Sequence, residues 1–236
     1  MSQNPYQPSQ AIPAAQAGVS ARAEFIMKTY AHLSVAVGAF VLIQAILLNL
    51  PGIEGLVETM IGTRYGWLIV LGLFMAVSWI ADGWARNATS LATQYMGLAL
   101  YIVAEAIIFV PLLFIARQIP GVVPTAGVAT LVLFAALTGV VFMTRTDFSF
   151  LRSILIFGGF AALALIVCAI LFGFALGPIF TVAMIAFACG YILYDTSQII
   201  LHYRTDQYVA ASLALFASVA LLFWYILRLV MAASRD

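Results

Sequence analysis

Charge is the scarcest property of this sequence. Of 236 residues, ten are Lys or Arg and nine are Asp or Glu, so only 8% are charged. A soluble domain carries about 25% charged residues because its surface faces water; this chain cannot coat such a surface. Its net charge of +1 offers no basic field, which excludes nucleic acid as a partner. Cysteine is also rare: Cys168 and Cys189 both fall in apolar runs, without a CxxC or Cys/His spacing. They read as packing thiols, and no metal site is expected from them. The sequence also lacks HExxH, GxSxG, a phosphate-binding loop and a dinucleotide fingerprint, and has no paired-aspartate protease motif, so no catalytic residue and no enzyme activity are expected. Residues 1–20 hold no charge and three prolines, without the basic and apolar regions of a cleaved signal. Residues 1–21 read as a flexible tail ahead of a membrane domain over 22–236.

Apolar runs fill what remains, for 65% of residues are hydrophobic. A helix needs about 20 apolar residues to cross a bilayer. Seven runs qualify, at about 30–50, 65–81, 93–115, 123–144, 151–174, 178–201 and 208–231. They lack the two-residue alternation of barrel strands and are about twice as long, which predicts an all-α integral membrane protein with the lipid bilayer as its first partner. Short connections make neighbouring helices antiparallel. Six Lys and Arg (Arg22, Lys28, Arg86, Arg145, Arg152, Arg204) then fall on one side and four (Arg64, Arg117, Arg228, Arg235) on the other, favouring a cytoplasmic N-terminus. Trp67, Trp84 and Tyr208 stand near span ends, as an aromatic belt requires. Gly158, Gly159 and Gly190 with neighbouring alanines predict close contact between the fifth and sixth spans.

Two carboxylates stand where insertion costs about 2.5–3.5 kcal/mol unless they pair or protonate. Glu105 lies near the middle of the third span, and Asp195 near the end of the sixth. Tyr191, Gln198 and His202 share a helical face with Asp195 and read as its supporting polar groups. A carboxylate so placed is a candidate ion- or proton-responsive site; the plainer reading of Asp195 is a wet helix end, and of Glu105 a hydrogen-bonded packing residue. Arg86 and Arg204 lie in loops from which they could reach Asp195. Arg228, in the last turns of the seventh span, is either a pairing residue or a cation snorkelling to the interface. His32 reads as interfacial, and Arg145 with Asp147 as solvated charge.

The segment Tyr191-Ile-Leu-Tyr-Asp195-Thr-Ser-Gln-Ile-Ile200 resembles the signature of the Bax inhibitor family, as does the spacing to Tyr208–Phe216 and Phe223–Arg228. Asp147–Leu151 and Glu105 fit the same pattern. The resemblance implies a last helix wrapped by the other six. It also implies pH-sensitive calcium leak, suppression of cell death in eukaryotes, or modulation of a membrane-bound ATP-dependent protease in bacteria. The family switch is a pair of aspartates sharing a proton, with an arginine after the second span as a latch. Asp195 matches the first aspartate and Arg86 matches the latch by location. The second aspartate is replaced by Ser218, which cannot share an acidic proton or add charge. Calcium prefers several carboxylate oxygens, so at most weak calcium binding is expected and no other cofactor. Glu105 could substitute for the missing acid if the third span packs against the sixth. The expected function is a pH-sensitive cation leak centred on Asp195 in a bacterial inner membrane. The alternative is a non-conducting regulator of a membrane protease or another membrane complex. Broken helices and repeat halves, the marks of a secondary transporter, are missing.

Overall fold

Breaks between helices fall where the backbone has special chemistry. Gly52, Gly121 and Gly173 adopt φ of 82°, 80° and 76°, a left-handed turn that only glycine enters at no steric cost. Thr63 and Ser90 cap the helices that follow, accepting from Gly66 N–H at 3.0 Å and Thr93 N–H at 3.2 Å, and Pro178 occupies a first turn where its missing N–H costs nothing. The computed structural model describes residues 12–87 and 90–234. Its helices are α1 (Val19–Leu47), α2 (Ile53–Ile61), α3 (Arg64–Ala85), α4 (Leu91–Ala116), α5 (Val122–Thr144), α6 (Leu151–Phe172), α7 (Pro178–Leu201) and α8 (Tyr208–Ala233). Among the described residues there is no strand, only one isolated bridge between Pro13 and Arg204.

Seven of these helices are long and apolar enough to cross a membrane, and the chain is a multi-pass integral membrane protein. α2 is the exception. Its nine residues are too short to span, in a stretch that hydropathy alone reads as a loop. Ile53, Val57 and Met60 repeat at helical spacing and are buried, Ile53 and Val57 packing with Val110 of α4. α1 begins at Val19, well before the expected 30, because nothing between Gly18 and Tyr30 breaks a helix and Lys28 pairs with Glu24 at 2.7 Å. The tail expected over 1–21 thus divides. Residues 1–11 and Arg235 lie outside the described residues. Ala14 is fully buried, donating its N–H to Tyr203 O at 2.8 Å, while Thr205 N–H reaches Ile12 O at 3.2 Å.

Alternating helix directions give the bundle a proximal end, with the N-terminal segment and the α3–α4, α5–α6 and α7–α8 connections, and a distal end with α2 and the remaining loops. More than half of α8 is buried, and α1, α3, α4, α5 and α7 all pack on it. Its run of Ala, Ser and Leu lets neighbours approach from every side. α6 sits at the periphery, touching α7 and α3, and turns Phe157 and Phe160 outward, as suits a lipid-facing helix. Trp67, expected in an interfacial belt, instead stacks on Trp224 of α8 at 6.0 Å.

Small residues do serve the α6–α7 contact: a Cβ on Gly158 would come within 2.7 Å of the Phe187 ring. The closest approach is elsewhere. A Cβ on Gly97 of α4 would meet Ala81 O at 2.5 Å and Ala85 N at 2.6 Å of α3, backbone atoms that cannot rotate aside. Gly97→Val is therefore expected to destabilise the protein in detergent by about 1–3 kcal/mol, the usual cost of overpacking. An unchanged thermal midpoint would mean that α3 and α4 are free to separate.

Candidate functional site

Asp195 lies in the last two turns of α7 and is 91% buried by residue surface, being 9% exposed. The Ser218 hydroxyl of α8 donates to its Oδ2. The packing of α7 along α8 places these two residues together, so the position held by Ser218 does face the carboxylate. Arg86 and Asp82 lie near enough for their charges to act on Asp195. Arg86 nevertheless makes its ion pair with Asp82, one turn back on α3, at 2.8 Å, a spacing at which helical neighbours meet. No Arg86–Asp195 salt bridge forms among the described residues. Arg204 pairs with Asp206 at 3.1 Å and not with Asp195.

Glu105 is buried at 6% exposure beside Tyr101, four residues earlier on α4. The notion that it replaces the missing acid required α4 to pack against α7. α4 packs on α8 and not closely on α7, and among the described residues no hydrogen bond joins Glu105 to Asp195, whose carboxylate partner is Ser218.

What joins these groups is a cavity of about 880 Å³ among α3, α4, α6, α7 and α8. It reaches the distal loops at Gly62, Thr63 and Phe174, where Arg228 also lines it. Its far end is lined by Glu105, Tyr191 and Ser218, with Asp195 directly behind the serine. Ser218 precedes Arg228 by ten residues of helix, which makes the cavity about 15 Å deep along α8. Most of its wall is apolar, from Leu71, Phe74, Ile166 and Trp224 among others. None of its lining residues comes from the proximal loops. There Tyr203 lies beside Arg86 and its carbonyl accepts from the Ala14 N–H, and burial pushes its phenol up to about 12.

Gln198 and His202 serve a different purpose from the one their helical face suggested. Gln198 Nε2 donates to Ser149 Oγ at 2.7 Å, and His202 Nε2 meets Asp147 Oδ2 at 3.0 Å. Phe148 N–H donates to Ser197 Oγ at 3.2 Å. These bonds tie the α5–α6 loop to the end of α7. Asp147 is exposed, as expected of solvated charge, and is paired with His202 as well. Tyr191 points its hydroxyl at Leu155 O of α6, 3.4 Å away. His32 places Nε2 2.9 Å from the Tyr95 hydroxyl. Among the described residues no three His, Cys, Asp or Glu side chains converge to hold a metal.

A buried carboxylate at the junction of the sixth and seventh spans, inside a bundle built around its last helix, is the arrangement that the Tyr191–Ile200 signature implied. The family model described as inhibitor of apoptosis-promoting Bax1 matches residues 22–236. The chain belongs to the Bax inhibitor family. It is similar to Bax inhibitor 1 of Schizosaccharomyces pombe, 27% identical over 227 residues, covering 92% of this chain and 80% of that protein. It resembles a BI1-like protein of Arabidopsis thaliana at 36% identity over 118 residues, 46% of this chain and 44% of that one. A Pseudomonas aeruginosa protein described only as uncharacterized is 28% identical over 167 residues, covering 69% of this chain and 71% of its own length.

Within this Bax-inhibitor-family bundle, sequence reasoning missed Tyr203, the Asp147–His202 contact and the whole cavity. Only the Asp147–His202 contact left a trace, two complementary residues at the ends of adjacent connections. The Ser149 hydroxyl and N–H, then His202, hold the Asp147 carboxyl below its usual range. A depressed carboxylate stabilises above its unfolded value and loses that contribution as pH falls through the folded one. Amide protection of residues 146–150 is therefore expected to persist down to about pH 4, the ordinary aspartate range, before Asp147 releases the loop. Loss of protection well above that range would mean that Asp147 does not hold the loop.

Proposed function

We propose that this Bax-inhibitor-family membrane protein is a cation leak pathway, calcium included, in which Asp195 is the controlling charge and protonation of that carboxyl is the switch. The observation that carries the reading is the cavity that enters from the distal end and stops at Ser218, with the Asp195 carboxylate immediately behind it. A cation moving inward would meet Glu105 first and then Asp195. Beyond lies the proximal seal of Tyr203, Arg86 and Ala14, whose displacement would complete the path. With one carboxylate where the family has two, calcium is held weakly. Such a protein needs no catalytic group. We place it in a bacterial inner membrane with the proximal, more basic end in the cytoplasm.

The test is calcium influx into dye-loaded liposomes, measured from about pH 5 to pH 8, beside Asp195→Asn. Flux above that of empty liposomes, dependent on Asp195, supports the leak. Its absence at every pH sinks it and favours the second reading, a regulator that binds a membrane protease or another membrane complex. Ser218 in the place of the second acid is the observation on that side.

A further inference from the structure

We propose that the cavity is a binding site for a medium-chain fatty acid, its carboxylate on Arg228 and its acyl chain along α8 toward Leu221. Three features of the cavity lead there. First, its volume of about 880 Å³ lies within the range of about 300–1,000 Å³ that takes one small ligand. Second, its wall is apolar between the distal loops and the base. An acyl chain laid along such a wall removes apolar surface from water, which is favourable. Third, Arg228, the one cation on that wall among the described residues, is uncommitted. Arg228 has no carboxylate partner among the described residues and touches only the face of Tyr225, at 5.9 Å. A half-buried guanidinium at the mouth of an apolar slot is complementary to an anionic head with an apolar tail, and its planar donors suit a carboxylate.

The base of the slot limits the tail. Beyond Leu221 the wall turns polar at Ser218 and Glu105, and methylenes laid against those groups would strip them of hydration. A chain of about the length of laurate ends before them, while a much longer one does not. An occupied slot also covers the side of Ser218 that faces the cavity. The site itself stands on the cavity and Arg228 and does not depend on whether the protein conducts.

Two tryptophans in the wall, Trp67 and Trp224, report occupancy directly, because bromine on a bound chain quenches them on contact. The experiment uses the full-length protein in detergent with Trp79→Phe and Trp84→Phe, which removes the two tryptophans outside the wall. It is titrated with ω-bromododecanoic acid and, in parallel, with ω-bromododecanol. The expected result is saturable quenching by the acid, with Arg228→Gln raising the half-saturating concentration about tenfold and Arg228→Lys raising it less. The alcohol should quench weakly and equally in all variants. Equal quenching by acid and alcohol would overturn the site as simple partitioning. No quenching of folded protein would overturn it as well. Saturable, Arg228-sensitive quenching by a brominated phosphatidylglycerol but not by the acid would assign the slot to a two-chain lipid and overturn the fatty-acid proposal. Should the Arg228 variants fail to fold, competition in the protein with native Arg228 decides: laurate must reverse the quenching and lauryl alcohol must not.

Discussion

Asp195→Asn is expected to cut calcium influx into liposomes about tenfold, the effect of 1.4 kcal/mol on an equilibrium or a barrier, and to flatten its pH dependence. Two unit charges 4 Å apart attract by about 4 kcal/mol at the effective dielectric of a protein site, and a divalent ion doubles that. Much of the gain is spent on dehydrating the ion, so a tenfold loss is a conservative expectation. Asparagine keeps the shape of the side chain and an oxygen that accepts from the Ser218 hydroxyl, so the α7–α8 contact survives. The amide brings two N–H donors into a buried site, so a modest fall in the thermal midpoint is expected. Influx that persists unchanged, with the same pH profile, would mean that ions pass without meeting Asp195. A collapse of both influx and stability would show only that the carboxylate holds the fold.

The second large effect is a gain. Ser218→Asp is expected to raise the calcium sensitivity of the influx about tenfold and to make its pH profile steeper. Ser218 already touches Asp195 Oδ2, so an aspartate at 218 places two carboxyl groups in contact. Charges that close cannot both ionise freely, and the pair shares a proton and titrates as a unit. With the proton removed, the pair offers calcium two carboxylates in place of one. Ser218→Asn is the matched control, adding a similar volume without charge. Equal calcium dependence in Ser218→Asp and Ser218→Asn would mean that position 218 does not meet the ion, and the reading of the serine as a lost ligand would fall.

The sequence by itself determined that this chain lives in a bilayer and crosses it seven times. Hydropathy acts locally along each helix, so the scarcity of charge and the length of the apolar runs sufficed, and most helix ends fell within a few residues of those expected. It also determined the family, through the residues around Asp195, and singled out Asp195 and Ser218 as a pair. It did not reveal α2, whose three apolar contacts are too sparse to distinguish a short helix from a loop without the α4 surface they cover. Tertiary structure alone decided which polar residues meet. Gln198 and His202 share a face with Asp195, yet the α5–α6 loop takes both, because a helical face specifies a direction and not what lies along it. Glu105 reads as an equal of Asp195 until Ser218 of α8 is seen to be the partner of Asp195. Arg228 reads as either a pairing or a snorkelling cation, and only the tertiary structure places it on the wall of a cavity. A cavity is the space that five helices leave unfilled, and no single helix encodes it.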